Sequence, residues 1–249
     1  MKNTWLALRS ALLWAISGLH FFLLGAFLVL LDTFVDTRKN DWPQRFFFRN
    51  VLRLAGVKFE VHRSPGFDSK RTSIFICNHV NLFDPFVIYS AIPQFVRGFE
   101  LESHFRIPVY GWMMGRFGNV PVPDKPSREG LDRMTTMAKR ALDSDVSLIA
   151  FPEAARTRDG HVGEFKSGVF RLAHRFETPV VPMSIVGSFE CFRTGGWMLH
   201  PGKITVHLFD TIETKGLARD EVNELRNRVH AIVSAPVEER FYAGQATDA

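Results

Sequence analysis

Residues 73–85 read SIFICNHVNLFDP, and the sequence changes from apolar to polar in the middle of this stretch. The apolar run at 73–77 is typical of a buried strand, and His79 and Asp84 follow it, five positions apart. Histidine is the usual general base near neutral pH, and a carboxylate bonded to its other ring nitrogen fixes the tautomer. A helical turn after His79 would return Asp84 to the imidazole. The simpler alternative is that both residues cap neighbouring helix ends.

The remaining chain alternates between strand-like and helix-like segments. Further strands are predicted at 57–62, 94–101, 147–151, 180–186 and 203–209, and helices at 131–142, 167–176 and 222–232. This alternation predicts an α/β fold with a mixed, largely buried sheet flanked by helices. Pro179 and Pro182 predict that the strand at 180–186 forms a sheet edge or an irregular wall.

A second polar loop follows the strand predicted at 147–151. In α/β sheets, functional residues tend to lie on loops just beyond the carboxyl ends of strands. This loop reads FPEAAR at 151–156, and Lys166 lies further along it. Arg156 can bind a phosphate through two parallel hydrogen bonds, and Glu153 can orient the arginine or bind a hydroxyl. A surface ion pair is the alternative.

The N-terminal part of the chain carries a long apolar run. Residues 10–31 hold no formal charge and lie between Arg9 and Asp32. As a helix they would extend roughly 33 Å, enough to cross the hydrocarbon core of a bilayer. Gly18, His20 and Gly25 interrupt the run, so a spanning helix and a re-entrant or interfacial hairpin both stay open.

A basic amphipathic helix is predicted directly after this run. Arg45, Arg49 and Arg53 recur at every fourth position, and apolar residues occupy the opposite side; Asp41 can cap the start and Gly56 can end the helix. Such a helix fits the cytoplasmic face of an anionic bilayer. An ordinary surface helix with a solvated row of arginines is the alternative. Residues 1–56 are therefore predicted to form a membrane-anchoring helical segment.

Charge and cysteine content narrow the possible partners. The chain has 31 Lys and Arg against 26 Asp and Glu, a net charge of +5, which suits anionic lipid or nucleic acid. The neighbouring apolar run favours the membrane, and no nucleic-acid partner is expected. Two cysteines, Cys77 and Cys191, are too few for a disulfide framework or a zinc site, so no metal is expected.

Together the motifs resemble the glycerolipid acyltransferase family typified by lysophosphatidate acyltransferase. The first family block, NHx4D, is similar to Asn78, His79 and Asp84. The third block, FPEG-T-R, is partly matched at 151–156, and a fourth, V-P-V-like strand is matched around Val181 and Pro182. Residues 105–112, which include Gly111, and 118–122 resemble the second block. The resemblance covers roughly residues 60–210.

The resemblance implies a membrane-bound O-acyltransferase of phospholipid biosynthesis or remodelling, with residues 57–249 as its α/β domain. His79 would take the proton of a lysolipid hydroxyl as that oxygen attacks the thioester of acyl-CoA or acyl carrier protein, and Asp84 would orient the histidine. No cofactor is implied. Localisation at the inner (plasma) membrane with the catalytic domain facing the cytoplasm is expected. The substrate-binding residues would be Asn78, Gly111, Lys125, Glu153, Arg156 and Lys166.

Two departures from the family pattern concern the acceptor. Ala154 and Ala155 stand where the third block usually has Gly and Thr, and the second-block arginine position falls near Pro123 or Asp124, with Lys125 only a neighbour. These changes remove expected phosphate contacts. Two alternatives to an enzyme that acylates lysophosphatidate or a related lysophospholipid therefore stay open. These are a non-phosphatidate acceptor such as a lyso-aminolipid, and a catalytically inactive lipid-binding protein of the same fold.

Overall fold

The computed structural model describes residues 2–31, 33–36 and 41–247, and the side chains of 4–31, 33–36 and 41–242. Asp32, the predicted boundary of the apolar run, lies outside the described residues. The helices are α1 Lys2–Leu31, α2 Trp42–Leu54, α3 Asp84–Ala91, α4 Tyr110–Arg116, α5 Arg128–Leu142, α6 Gly168–Arg175, α7 Ser188–Cys191 and α8 Val222–Thr247, with a 3-10 helix at Glu102–Arg106. The strands are β1 Val57–Arg63, β2 Ile74–Cys77, β3 Val96–Leu101, β4 Val120–Val122, β5 Ser147–Ala150, β6 Val180–Val186 and β7 Gly202–Leu208.

Seven strands form one sheet in the order β1-β7-β6-β2-β5-β3-β4. All neighbours are parallel except β6 and β7, so the sheet is mixed. Every residue of β2, β5 and β6 is buried, which explains why these strands read as continuous apolar runs in the sequence. The predicted mixed, largely buried sheet flanked by helices is confirmed.

Two apolar clusters cover the two faces of the sheet. One cluster packs α3 against β1, β6 and β7, and the other packs α5, α6 and α8 against β2 and β5. The predicted helix at 131–142 begins at Arg128 instead, because the Ser127 side chain accepts the N–H of Gly130 and caps the first turn.

The proline-containing strand β6 lies in the middle of the sheet, so the predicted edge position is wrong. Val180 forms two backbone hydrogen bonds with Ile212, one through its N–H and one through its C=O. Alternate residues of a strand face the same neighbour, so the missing N–H of Pro182 falls on this same side. The ladder with β7 ends at Leu208, and the carbonyl of Pro182 accepts the N–H of Phe209 there. A proline is tolerated in this central strand because the pairing is interrupted opposite it.

Helix α1 is one continuous helix, and no hairpin forms within the described residues 2–31. Of the residues that suggested a break, Gly25 and His20 make close contacts instead, whereas nothing lies within 4 Å of a Cβ added at Gly18. A Cβ at Gly25 would lie 2.8 Å from the sulfur of Met113, so this glycine lets α1 approach α4 closely. His20 stacks on Phe47 of α2 with ring centroids 5.0 Å apart. By length and composition, residues 4–31 are apolar enough to cross a membrane.

Helix α2 forms as predicted, but the roles predicted for Asp41 and Arg45 are wrong. Gly56, at a φ of 75°, ends the helical segment as expected. Asp41 makes no side-chain capping bond and instead pairs with Arg45 at 2.6 Å. The Arg45 guanidinium donates to carbonyls just beyond the end of α3, those of Pro93 (3.1 Å) and Gln94 (3.0 Å) among them. Arg45 therefore does not belong to the predicted lipid-facing row of arginines.

Candidate active site

The two predicted polar loops meet at one edge of the sheet. Strands β2 and β5 are parallel neighbours, with Ile76 opposite Ala150, so their carboxyl ends lie side by side. His79 follows β2 and Glu153 follows β5, and the N–H of His79 donates to Oε1 of Glu153 at 2.6 Å. The two loops that were predicted to carry functional residues therefore lie side by side beyond the strand ends.

His79 and Asp84 form a hydrogen-bonded pair. Nδ1 of His79 lies 2.7 Å from Oδ2 of Asp84, and the same oxygen accepts the N–H groups of Val80 (2.7 Å) and Asn81 (3.2 Å). Asp84 is fully buried and is the first residue of α3, where the helix dipole favours a negative charge. An ionised carboxylate only accepts hydrogen bonds, so Nδ1 carries the hydrogen and Nε2 keeps its lone pair. The two residues face each other, and the alternative of separate helix caps is wrong.

The imidazole of His79 is held on one face and open on one side. Its ring stacks on Phe151 with centroids 4.1 Å apart and planes 18° from parallel. The side chain retains 22% exposure, whereas Asp84 has none. Stacking and the Asp84 bond together fix the orientation of the ring, so Nε2 is presented to a molecule that enters from outside. This is the geometry of a general base.

Glu153 supports the histidine loop with both of its oxygens. Oε1 accepts from His79, and Oε2 accepts the N–H of Gly163 at 2.8 Å. Burial raises the pKa of this carboxyl above its usual value, and the two N–H donors oppose that rise. The contacts make Glu153 a bridge between two loop segments. Its predicted role in substrate binding stays a prediction.

Asn78 and Asn81 are buried and bonded to backbone. Asn78 accepts the N–H of Ile185 in β6 (2.8 Å) and donates to its carbonyl (3.0 Å). Asn81 donates to the carbonyls of Ser188 (2.8 Å) and Phe192 (2.7 Å) at the two ends of α7. Asn81 was not predicted as a site residue, although a polar residue between Val80 and Leu82 was a usable signal. Both amides fix the loop that carries His79, and substrate binding by Asn78 stays a prediction.

The segment that resembled the second block is tightly turned. Val109 has a φ of 63° and a ψ of −59°, and the N–H of Tyr110 donates to the carbonyl of Pro108 at 2.8 Å, which defines a strained γ-turn. Gly111 is buried, and a Cβ there would lie 2.2 Å from the carbonyl oxygen of Phe105. Only glycine fits at this position. Its place in the structure is explained by packing, and contact with substrate stays a prediction.

Tyr110 connects this segment to the loop after β5. Its hydroxyl donates to Oε2 of Glu100 at 2.8 Å, and His104 binds the other oxygen of that carboxylate. Burial raises the pKa of Tyr110 far above its usual value, Glu100 adds to the rise, and the charge of Arg156 opposes it. Arg156 therefore lies near enough to Tyr110 to act on it electrostatically.

The predicted basic ligands differ in their distance from His79. Arg156 and Lys166 are exposed on the same loop as Glu153. Lys125 is also exposed but follows β4, the last strand of the sheet. Strands β5 and β3 separate β4 from β2, a distance of roughly 14 Å at the usual strand spacing. A substrate that touches both His79 and Lys125 would have to extend across those strands.

An apolar cavity of about 240 Å³ lies beside the histidine loop. Leu82 and Phe83 of that loop form part of its wall, and Phe86 of α3 continues it. The other lining residues come mainly from α1 and α2: Trp14, Ser17, Gly18, Phe21, Val51, Ala55 and Leu199. Among the described residues, no three His, Cys, Asp or Glu side chains cluster as metal ligands.

The known proteins to which this chain is similar are acyltransferases. A family model described as Acyltransferase matches residues 58–186, more than half of the chain. The 1-acyl-sn-glycerol-3-phosphate acyltransferase of Haemophilus influenzae is 26% identical over 194 residues, which cover 77% of this chain and 79% of that protein. The coconut (Cocos nucifera) protein of the same name is 26% identical over 183 residues, 74% of this chain and 56% of the relative.

A solved structure extends the likeness to the fold. The crystal structure of the 1-acyl-sn-glycerophosphate acyltransferase PlsC from Thermotoga maritima superposes with a TM-score of 0.79 and 23% sequence identity. The match covers 96% of this chain and 97% of that one, so the N-terminal helices share the common architecture. The chain spans less than two thirds of the length of the coconut and Limnanthes alba relatives, 56% and 64% respectively.

Proposed function

Since this chain belongs to the Acyltransferase family, we propose that it is a membrane-bound enzyme that transfers a fatty acyl chain from a thioester to the hydroxyl of a lysolipid. The donor is acyl-CoA or acyl carrier protein. The acceptor is lysophosphatidate or a related lysophospholipid, in phospholipid biosynthesis or remodelling. The observation that carries the proposal is the bond of 2.7 Å between Nδ1 of His79 and Oδ2 of Asp84, which leaves Nε2 as the base.

The reaction needs only one base and a well-placed thioester. Nε2 of His79 takes the proton of the lysolipid hydroxyl while its oxygen attacks the thioester carbonyl. The C–O bond forms, the C–S bond breaks, and the thiolate leaves and is protonated by the imidazolium. Asp84 stabilises the positive charge that His79 carries between these two steps. A thioester is already activated, so positioning and proton transfer supply the catalysis.

The exposed surface supports membrane attachment. All five tryptophans of the chain are exposed, and tryptophan is enriched where proteins meet the polar boundary of a bilayer. Nε1 of Trp14 in α1 donates to the carbonyl of Trp197 at 2.7 Å, which holds the loop before β7 against the apolar helix. The tryptophans are Trp5, Trp14, Trp42, Trp112 and Trp197.

Helix α1 presents a further apolar stripe to the outside. Eight of its ten exposed large side chains, all but Trp14 and Phe22, recur at spacings of three and four residues, so these eight share one face of the helix. They include Trp5, Leu8, Leu12, Ile16, Leu19, Leu23, Phe27 and Leu30. We propose that residues 1–56 anchor the α/β domain, residues 57–249, at the inner membrane, with His79 on the cytoplasmic side.

The apolar cavity suits the acyl chain of a substrate. Its wall includes Leu82 and Phe83, which lie between His79 and Asp84 in the sequence, so a chain bound there would contact the loop that carries the base. The cavity also touches α1 and α2, the elements that we place at the bilayer. A lipid could then reach the site without leaving an apolar environment.

One observation supports a second candidate for the head group of the acceptor lipid. Asp124 lies near the position where the family resemblance leads us to expect an arginine, and its carboxylate accepts from the N–H (2.9 Å) and hydroxyl (2.6 Å) of Ser103. A negative charge there disfavours a phosphate and favours a cationic group. This observation supports a lyso-aminolipid as the alternative acceptor, although Arg156, Arg158 and Lys166 are exposed basic residues of the Glu153 loop.

A substrate panel tests the proposal. The purified protein in phospholipid vesicles is given labelled acyl-CoA or acyl carrier protein and, in turn, lysophosphatidate, zwitterionic lysophospholipids and a lyso-aminolipid. Transfer to at least one lysolipid, lost in His79→Ala at unchanged thermal stability and vesicle binding, supports it. Equal transfer by wild type and His79→Ala would contradict the assignment of the base. Vesicle binding with no transfer by the wild type would favour an inactive lipid-binding protein.

A further inference from the structure

The loop between β5 and α6, residues 151–167, holds the backbone of His79 on both sides. The N–H of Thr157 donates to the carbonyl of His79 at 2.9 Å. The N–H of His79 donates in turn to Oε1 of Glu153 at 2.6 Å. Both polar backbone groups of His79 are therefore bound by this loop. A shift of the loop would move the imidazole with it.

Glu153 carries the restraint to the far part of the same loop. Its Oε2 accepts the N–H of Gly163, ten residues further along the chain. Between them the chain makes a tight turn, in which the Thr157 hydroxyl accepts the N–H of Gly160 at 2.9 Å. His79, Glu153 and Gly163 thus form one continuous chain of hydrogen bonds. These hydrogen bonds can fix the position of the histidine only if the part of the loop around Gly163 is itself held in place.

Helix α8 supplies that support with a charged and a neutral contact. Nδ1 of His161 lies 2.9 Å from Oε2 of Glu238, and the same imidazole stacks on Phe241 at a centroid distance of 4.5 Å. Nε2 of His230, two turns earlier in α8, donates to the carbonyl of Gly163 at 3.1 Å. Gly163 is therefore bound by α8 through its carbonyl and by Glu153 through its N–H.

We propose that α8 positions the general base through this loop, and that Glu238 and His161 are positioning residues for acyl transfer. The inference rests on the proposed function, because it assigns a role relative to His79 as the base. Neither residue needs to touch the substrate. Their ion pair fixes the turn at 157–161, the turn fixes Gly163 and Glu153, and Glu153 fixes the backbone of His79.

The pair predicts a distinctive pH profile. Glu238 of α8 and Asp159 of the same loop are the charged groups that act on His161, and the hydrogen bond to Glu238 raises the pKa of His161 above 6.5. The ion pair is therefore present below that raised pKa, as long as Glu238 is ionised, and is lost as the pH rises through it. His79 must be neutral to accept a proton. Activity should then decline on the alkaline side as the pair is lost.

Steady-state kinetics of four variants test the inference. His161→Gln and Glu238→Gln should each lower kcat about two- to fivefold, as befits a partly exposed ion pair, with KM unchanged. The double variant should lose no more than either single variant, because both remove the same interaction. His161→Arg keeps its charge at all accessible pH values. It should retain the wild-type kcat and lack the alkaline decline.

A matched control separates positioning from general stability. Arg71 and Glu213 form an ion pair of similar exposure, but this pair lies before β2, at the opposite end of the strand from His79. Glu213→Gln should leave kcat and the pH profile unchanged. Amide hydrogen exchange at His79 and Gly163 should speed up in Glu238→Gln and stay unchanged in Glu213→Gln, and thermal unfolding reports the folded fraction of each variant.

Three results would overturn the inference. The first is a wild-type kcat and unchanged amide exchange in Glu238→Gln and His161→Gln. The second is a loss in His161→Arg equal to that in His161→Gln, and the third is a loss of kcat explained by a smaller folded fraction. In each case the wild-type enzyme remains active, so the proposed function stands. If the wild type transfers no acyl chain to any lysolipid, both fall together.

Discussion

Asp84 binds His79 through a single oxygen, Oδ2, which also accepts two N–H groups from the chain between them. The acid is therefore fixed by the backbone of the loop that it organises. Its other oxygen, Oδ1, is buried and has no partner among the described residues. These polar contacts of the carboxylate thus orient the histidine and fix the conformation of its loop.

Replacing Asp84 with asparagine should damage catalysis more than binding. An amide oxygen in the place of Oδ2 can still accept these hydrogen bonds, but the amide is neutral and cannot stabilise the imidazolium, and its nitrogen would occupy the buried, partnerless position of Oδ1. We expect kcat to fall about 10²- to 10⁴-fold, the range typical of lost acid–base catalysis, with little change in KM. The measurement is acyl transfer with the best lysolipid of the panel. A kcat within threefold of wild type would show that Asp84 does not orient the base.

Replacing Ala154 with glycine should make the protein more stable. It has a φ of 60° in the loop after β5, a left-handed conformation that costs a residue with a Cβ about 1 kcal/mol. Ala154→Gly removes this strain and should raise the free energy of unfolding by a few tenths to about 1 kcal/mol. Ala155, its exposed neighbour, is not among the residues with positive φ, so Ala155→Gly serves as the control and should give no gain. Thermal unfolding distinguishes the two, and equal effects would mean that the loop relaxes freely.

Substitutions of Arg45 and Arg53 should affect different properties. Arg45→Ala should lower stability, and Arg53→Ala should weaken membrane binding. Arg45 donates to carbonyls at the end of α3, so Arg45→Ala should lower the free energy of unfolding by about 1 to 3 kcal/mol. Arg53 is exposed in the last turn of α2, so Arg53→Ala should leave stability unchanged and weaken binding to anionic vesicles by about 1 kcal/mol. Sedimentation with vesicles and thermal unfolding measure the two effects. Equal vesicle binding by wild type and Arg53→Ala would remove α2 from the proposed anchor.

His207 should make stability depend on pH below neutrality. Burial lowers the pKa of His207 from 6.5, and the neighbouring His62, stacked at 5.3 Å, lowers it further, while Glu239 opposes the shift. The unfolded chain then binds the proton more readily than the native one, so the stabilising effect is present above pH 6.5 and is lost as the pH falls through the lowered pKa. His207→Gln should flatten this part of the stability curve from chemical denaturation. A curve identical to that of wild type would mean that other groups govern the acid side.

Much of the fold could be predicted because buried parallel strands leave a clear pattern. The apolar runs at 73–77, 147–151 and 180–186 predicted strands β2, β5 and β6 with small errors, and the polar residues after the first two runs marked the candidate site. The central position of β6 could not be read from its prolines, because the interruption that accommodates Pro182 lies in the separate segment after Leu208. Pairing between distant segments determines such exceptions.

The site was predictable to a different degree. The spacing of His79 and Asp84 allowed a pair, since a turn after His79 returns Asp84 to the ring, but it left separate helix caps as an alternative. The partners of Glu153 were not predictable, because its two N–H donors belong to residues 74 positions before and 10 positions after it. Arg45 was misjudged for a similar reason. An arginine on an amphipathic helix has the same sequence pattern whether it meets lipid or the end of a neighbouring helix.

The bond network of Arg45 also limits how this protein can be made soluble. Deleting residues 1–56 would remove the exposed apolar stripe of α1, but it would also strip the end of α3 of its guanidinium partner and open the apolar cluster around Phe47 and Phe48. The shortened protein would lose support under the helix that begins with Asp84. Replacing outward-facing side chains such as Leu8, Leu19 and Leu23 with polar ones would keep that support. Surface redesign is therefore a better route to a detergent-free enzyme than truncation.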